Sequence, residues 1–266
     1  VPNYQITKAT ELPNLLNILI WGQPGAGKTT FACTAPGEKL VINFDSNGPA
    51  SVSARNDVGV LDLSGEGASI AEEFKSPDPF GLSKHLGGYS TVVIDSLSSI
   101  QELTVRRGIE FARSIKINAN VENPGMAAYQ ARNNLLLELI RNVMALCTRM
   151  QKHLVLVGHE GPKIFDKEGS LIGIPLLLGG KLPVITGVRL SEIWAMYELQ
   201  DGRRIAIRQC RGREIAKTRM FDTSGPPEFK LRYDPKLPDE DQPGQTISGW
   251  FESWLKNGKQ KIPLPK

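Results

Sequence analysis

Short apolar runs punctuate the first 160 residues. Ile18-Leu19-Ile20-Trp21, Leu40-Val41-Ile42-Asn43-Phe44, Val60-Leu61-Asp62-Leu63, Thr91-Val92-Val93-Ile94 and Leu154-Val155-Leu156-Val157 have the length and β-branched content of strands buried on both faces of a parallel sheet. Between the last two runs, Leu136, Ile140, Val143, Met144, Cys147 and Met150 recur at three- and four-residue steps, the apolar stripe of a helix lying on that sheet. The pattern predicts an α/β fold, a mostly parallel central sheet flanked by helices. Residues 160–190, rich in glycine and proline, predict a long mobile loop. Two strand-like segments follow, residues 193–199 and 203–208, around Gln200-Asp201-Gly202. Asp-Gly tolerates positive φ at both turn positions, so a C-terminal β-hairpin is expected there. The division that results is a core over residues 1–221 and an irregular tail over 222–266. That tail is proline-rich (Pro226, Pro227, Pro235, Pro238, Pro243) and ends in a short helix around residues 250–255. No internal repeat is visible.

Directly after the first apolar run stands Gly22-Gln23-Pro24-Gly25-Ala26-Gly27-Lys28-Thr29, a complete G-x-x-x-x-G-K-[ST] phosphate-binding loop, with the helix start Thr29-Thr30-Phe31-Ala32-Cys33 behind it and Thr30 also expected at the nucleotide. The glycines let successive backbone N–H groups turn inward on a β-phosphate, helped by the positive end of the next helix. Lys28 is placed to reach the β- and γ-phosphates, and the Thr29 hydroxyl to join a Mg²⁺ shell. A second Mg²⁺ group is expected at the C-terminal end of a neighbouring strand, where ligands collect in open α/β sheets. Asp95, closing Thr91-Val92-Val93-Ile94, supplies it, and also suits the N-terminal end of the helix that Ser96 to Ser99 begin. ATP and Mg²⁺ are therefore the expected ligands. Hydrolysis also needs a group that orients or deprotonates water. Two strand ends offer one: Asp45 after the second strand, and Glu160, with His159, after the strand from Leu154. A polar residue in the latter place also suits a γ-phosphate sensor that moves the adjoining loop.

Composition narrows the setting. No apolar stretch approaches the roughly 20 residues of a membrane span, and Val1-Pro2-Asn3-Tyr4-Gln5 lacks the basic and apolar regions of a signal peptide. Cys33, Cys147 and Cys210 are odd in number and far apart, which suggests neither a disulfide framework nor a zinc site. A reducing cytoplasm is expected. The net charge of +4 is mild; its clustering matters more.

The order of these features, a phosphate loop, a strand ending in an acid, a strand ending in Asp95, a long helix, a strand ending in His159-Glu160, a long loop and a hairpin, resembles the RecA/RadA-type ATPase core. The resemblance implies that a glutamate-like base falls on Asp45, where the shorter aspartate departs from the family, and that a polar sensor falls on His159 or Glu160. Ala216-Lys217-Thr218-Arg219-Met220-Phe221 is similar to the Lys-x-Arg-Phe element of RadA-like proteins, which implies that Lys217 and Arg219 reach a neighbouring subunit's nucleotide as arginine-finger-like cations. More narrowly, Ile6-Thr7-Lys8-Ala9-Thr10-Glu11-Leu12-Pro13-Asn14, residues 89–97 and Val157-Gly158-His159-Glu160 resemble bacteriophage core-only RecA-like ATPases, the Sak-type single-strand annealing and recombination proteins. The similarity spans about residues 6 to 221.

That resemblance implies a homo-oligomer, ring or filament, with ATP at its subunit interfaces, acting on single-stranded DNA in the host cytoplasm, with a single-strand-binding protein as a further partner. DNA loops fall by position near residues 106–125, with Arg106, Arg107, Arg113 and Lys116, and near 160–190, with Lys163, Lys167, Lys181 and Arg189. Aromatics for base stacking are few, Phe111 and Phe165. A second basic cluster runs from Arg203 and Arg204 through Arg208, Arg211 and Arg213 to Lys217 and Arg219. Two other classes stay open: a non-catalytic ATP-binding accessory of a recombinase, and a P-loop small-molecule kinase, whose arginine-bearing lid and acceptor pocket have no clear counterpart in the sequence.

Overall fold

The computed structural model describes residues 8, 13–46, 48–115, 117–213 and 215–265. Five strands carry the parallel runs: β1 (Asn17–Gly22), β2 (Lys39–Asn43), β3 (Val58–Asp62), β4 (Thr91–Asp95) and β5 (His153–His159). β6 (Ile164–Phe165) and β7 (Leu171–Gly173) pair only with each other. β8 (Glu192–Leu199), β9 (Gly202–Ala206) and β10 (Glu228–Lys230) complete an eight-stranded sheet in the order β3-β2-β4-β5-β1-β8-β9-β10. The pairs from β3 across to β8 are parallel; β9 and β10 run antiparallel. The helices are α1 (Lys28–Ala32), α2 (Leu97–Ser114), α3 (Gly125–Arg149), α4 (Leu182–Arg189) and α5 (Ile247–Lys256). The α/β class with a mostly parallel sheet and a C-terminal hairpin is the architecture the apolar runs predict.

Strict alternation along the central strands builds two cores. Leu19, Trp21, Ile42, Ile94, Leu154 and Leu156 face α2 and α3, meeting Leu136, Leu139, Ile140 and Val143. Ile18, Ile20, Val41, Val93, Val155 and Val157 face the opposite way, toward Phe31 of α1, Phe221, and Trp250 of α5. Because both faces are covered, β1, β2, β4 and the middle of β5 are buried throughout apart from Asn17 and read as unbroken apolar runs.

Two expectations are corrected. Residues 160–190 are not one long loop: β6, β7 and α4 occupy much of the segment, each too short to leave a periodic signature. Asp166 organises the β6–β7 turn, its Oδ1 accepting from the Glu168 and Ser170 N–H groups at 2.9 and 2.7 Å. The segment after Asp222 is not irregular up to its helix, since β10 pairs with β9; the short helix itself, α5, lies where it is expected and enters the second core. The helix after the phosphate loop has only five residues and ends at Cys33, before Pro36 and Gly37. Its missing turns are replaced from the tail: the Ile247 N–H donates to Thr34 Oγ1 at 3.0 Å, and the Ser248 N–H to the Thr34 carbonyl at 3.0 Å.

Candidate nucleotide site

Parallel register brings the ends of four strands to one edge. Gly22 of β1 stands opposite His159 of β5, and Asn43 of β2 opposite Asp95 of β4. The phosphate loop leaves β1 at Gly22, whose φ of 146° and neighbouring Met196 carbonyl exclude any side chain: a Cβ there would lie 1.8 Å from that oxygen. Gly25 and Gly27 also have positive φ, 77° and 83°. Gln23 stitches the loop to β8, its N–H donating to the Met196 carbonyl at 3.3 Å and its Oε1 accepting from the Glu198 N–H at 3.1 Å.

A cleft of about 330 Å³ opens over this loop, lined by Gly25, Gly27, Lys28, Thr29, Thr30, Asp45, Gly48, Ser51, Asp95 and His159. A separate cavity of about 560 Å³ beside α2 and α3 contains none of these residues. Pro24 and Ala26 complete the loop turn, Ala26 buried against the second core. Lys28 is 5% exposed and donates from Nζ to the Gly22 and Gln23 carbonyls at 3.1 and 2.6 Å. Burial lowers its pKa from 10.5 to about 8, against the opposing pull of Asp95, Glu160 and Asp45. The Thr29 hydroxyl donates to Asp95 Oδ2 at 2.6 Å. Burial raises the Asp95 pKa, with Asp45 adding to the rise and the Thr29 hydrogen bond opposing it. This hydroxyl and carboxylate are hard oxygen donors of the kind Mg²⁺ takes alongside phosphate oxygens, so the residues present fit the ion.

Asp45 reaches the cleft on a turn that Asn43 holds. The buried Asn43 side chain accepts from the Asp45 N–H at 3.2 Å and donates to the Asp45 carbonyl and to Asp62 Oδ1, both at 2.8 Å. The Asp45 side chain is 34% exposed, so solvent reaches it, and its Oδ2 lies 3.8 Å from His159 Nε2. Burial and Lys28 lower the His159 pKa despite Asp45, which leaves the imidazole neutral at pH 7. Its Nδ1 is buried without a hydrogen-bond partner. Apolar runs alone did not point to Asn43, Gly48 or Ser51; an asparagine closing an otherwise apolar strand was the available signal.

Glu160 does not join them. Its Oε2 accepts from Arg213 Nη2 at 3.0 Å in an ion pair whose side chains are 10% and 4% exposed, and Arg213 also lies 3.8 Å over the Tyr197 ring. Glu160 touches the loop only through its N–H, which donates to the Gly22 carbonyl at 3.0 Å. Of the two strand-end acids, Asp45 lines the cleft, while the Glu160 carboxylate pairs with Arg213.

Lys217 and Arg219 are held away from this chain's own loop. Lys217 exchanges both backbone hydrogen bonds with Ile193, at 2.9 Å each, and the buried Glu192 accepts from the Arg219 N–H at 2.7 Å. Ile193 pairs with Leu19, whereas Met196 pairs with Gly22, so Lys217 sits three strand steps, roughly 10 Å, from the loop. Of the expected DNA cations, Arg107 is engaged by Glu72 and Glu110, and Arg113 donates to the Ala119 carbonyl at 2.7 Å. Arg106 lines a separate hollow beside Asp45. Lys163, Lys167, Lys181 and Arg189 are exposed, and Lys116 lies outside the described residues.

A family model described as an AAA domain matches residues 15–198, more than half of the chain and all of the elements just placed around the loop. The chain belongs to this AAA-domain family of P-loop ATPases. None of the curated proteins compared with it matches. Membership of the AAA-domain family supports nucleotide binding by the chain, and Lys28 would give binding at the phosphate loop a pH signature. An amine of pKa about 8 is half neutral at pH 8, and a polyphosphate favours its charged form. Titration calorimetry of ATP in buffers of different ionisation enthalpy should show proton uptake that is near zero below pH 7 and rises through pH 8, with affinity falling above it. The unfolded amine, at 10.5, holds its proton between these values while the folded one does not, so its contribution to stability grows as pH rises through that window. Uptake that is absent at pH 8 would remove this account of Lys28. Among the described residues, no helix of the AAA-domain chain is long and apolar enough to cross a membrane.

Proposed function

We propose that the chain hydrolyses Mg-ATP and acts on single-stranded DNA in phage recombination or annealing, as an oligomer with ATP at its subunit boundaries. The cleft supports the hydrolytic half of this reading. Asp95 and Thr29 can hold the ion, Lys28 the phosphates, and Asp45, beside a neutral His159, can take a proton from water. A bound Mg²⁺ supplies charge neutralisation of the phosphates.

The observation that carries the assembly half is the placement of Lys217 and Arg219. Both backbones are clamped to the start of β8, away from the cleft of their own chain. Cations anchored there, outside the lining of their own cleft, suit a neighbour's γ-phosphate. The DNA reading draws on the β6–β7 hairpin, which begins four residues after Glu160. It exposes Ile164, Phe165, Leu171 and Ile172 together with Lys163 and Lys167, a combination of stacking surface and cation that suits single strands. Arg107 and Arg113, already engaged within the chain, leave that role to the hairpin and to α4.

Phosphate release measured with and without single-stranded DNA tests both halves. The expected result is turnover that rises with DNA and with protein concentration. Lys217→Ala should lower kcat by on the order of 10³-fold, the scale of a trans-acting arginine finger. Mixing Lys217→Ala with Lys28→Ala should restore part of the activity, because each supplies what the other lacks at a shared boundary. DNA-independent turnover removes the DNA role, and mixed variants that stay inactive remove the shared site.

A further inference from the structure

We propose that Arg203 is a nucleotide-binding residue supplied in cis, meeting the α-phosphate end of the bound nucleotide. This rests on the reading of the loop as an ATP site and adds a contact on its far side.

Arg203 lies on β9, opposite Glu198 of β8, and its guanidinium comes to rest against the phosphate loop: a Cβ on Gly27 would lie 3.0 Å from Arg203 Nη1. Gly27 is the residue from which α1 starts, and its N–H is among those a phosphate loop presents. The side chain is half-buried and held from behind by a single hydrogen bond, Nη2 donating to the Tyr233 carbonyl at 2.7 Å. Among the described residues no carboxylate pairs with it. Three of its neighbours in the basic cluster differ: Arg204 pairs with Asp201, Arg211 with Glu228 and Arg213 with Glu160. A partly buried guanidinium that faces a phosphate loop and has no counter-ion is a site for an anion, and its planar fork suits phosphate oxygens.

The order of the sheet decides which phosphate. Asp45, Asp95 and His159 stand at the ends of β2, β4 and β5, all on one side of β1, while β8 and β9 lie on the other. A triphosphate crossing the loop with its metal-bound end at Thr29 and Asp95 therefore has its nucleoside end toward β9. Arg203 would contribute affinity for ATP and ADP alike and nothing particular to the γ-phosphate. It would also couple the site to the C-terminal segment through Tyr233.

Arg203→Gln removes the charge and the guanidinium fork while keeping a polar side chain. Calorimetric titration should show the Kd of ATP and of ADP raised together by about tenfold, the scale of one charge-assisted hydrogen bond. Far-UV circular dichroism and a cooperative thermal transition without nucleotide should show that the variant is folded. The wild-type chain gives a second measurement that does not depend on the variant folding. Phenylglyoxal modification at Arg203, followed by mass spectrometry, should be suppressed by ATP and by ADP but not by adenosine. Unchanged affinity for both nucleotides, a loss confined to ATP, or modification indifferent to ADP would each overturn the assignment. A wild type that binds neither nucleotide removes the ATP-site reading and this one with it; a wild type that binds both, matched by the variant, removes this one alone.

Discussion

Asp45→Asn should lower kcat for ATP hydrolysis by about 10²–10⁴-fold, the range for loss of a positioned general base, while KM for ATP moves by no more than roughly threefold. The substitution keeps the size of the side chain and leaves in place the backbone bonds to Asn43 that set the turn. It removes the negative charge and the capacity to accept a proton. Asp45 is the acid on which this test belongs because it lines the cleft and is reached by solvent, whereas Glu160 is tied to Arg213. Glu160→Gln is the natural control. Breaking a buried pair leaves Arg213 without its counter-charge, so that variant should lose melting temperature first. Steady-state phosphate release and thermal unfolding on both variants separate the roles. If Asp45→Asn keeps wild-type turnover, Asp45 is not the base; if Glu160→Gln loses kcat with its melting temperature intact, the assignment of the two acids is reversed.

The contrast between these two carboxylates shows what could be read in advance. The phosphate loop and Asp95 were legible because their chemistry imposes a fixed spacing and an apolar strand in front. Those strands were legible because burial on both faces leaves no polar gap. Choosing between Asp45 and Glu160 was not possible, since both close apolar strands. What distinguishes them in the structure is Arg213, 53 residues from Glu160 in the chain, which engages the Glu160 carboxylate. Arg203 was likewise one of several cations in a basic stretch until the register of β8 and β9 turned it toward Gly27. The segment 160–190 was misread as a loop because strands of two and three residues carry no periodicity, and its glycines mark turns between them, as Gly169 does with φ 83°. The helix-start signal at the end of the phosphate loop likewise marks that α1 begins there but not that it is only five residues long.

The tail offers the second large effect. Trp250→Ala should destabilise the chain by about 3–5 kcal/mol, the cost of emptying a buried aromatic site, which for a domain of this size lowers the melting temperature by roughly 6–20 °C. Trp250 is 3% exposed and stands at the centre of an aromatic cluster, with ring centroids 5.5 Å from Phe31, 5.7 Å from Trp194, 5.3 Å from Phe221 and 5.5 Å from Phe229. Its Nε1 donates to the Gly244 carbonyl at 2.8 Å, which fixes the ring's orientation. Phe31 lies in α1, three residues after Lys28, so the same ring that anchors α5 also supports the short helix behind the phosphate loop. Saturating ATP should accordingly recover part of the lost melting temperature, through binding to the folded state alone. A Trp250→Ala chain that melts with the wild type would mean that the C-terminal segment lies on the core without supporting it. One that melts early and is not rescued by ATP would separate the aromatic cluster from the nucleotide site. Early melting with rescue is the outcome expected if α5 serves as the missing length of α1.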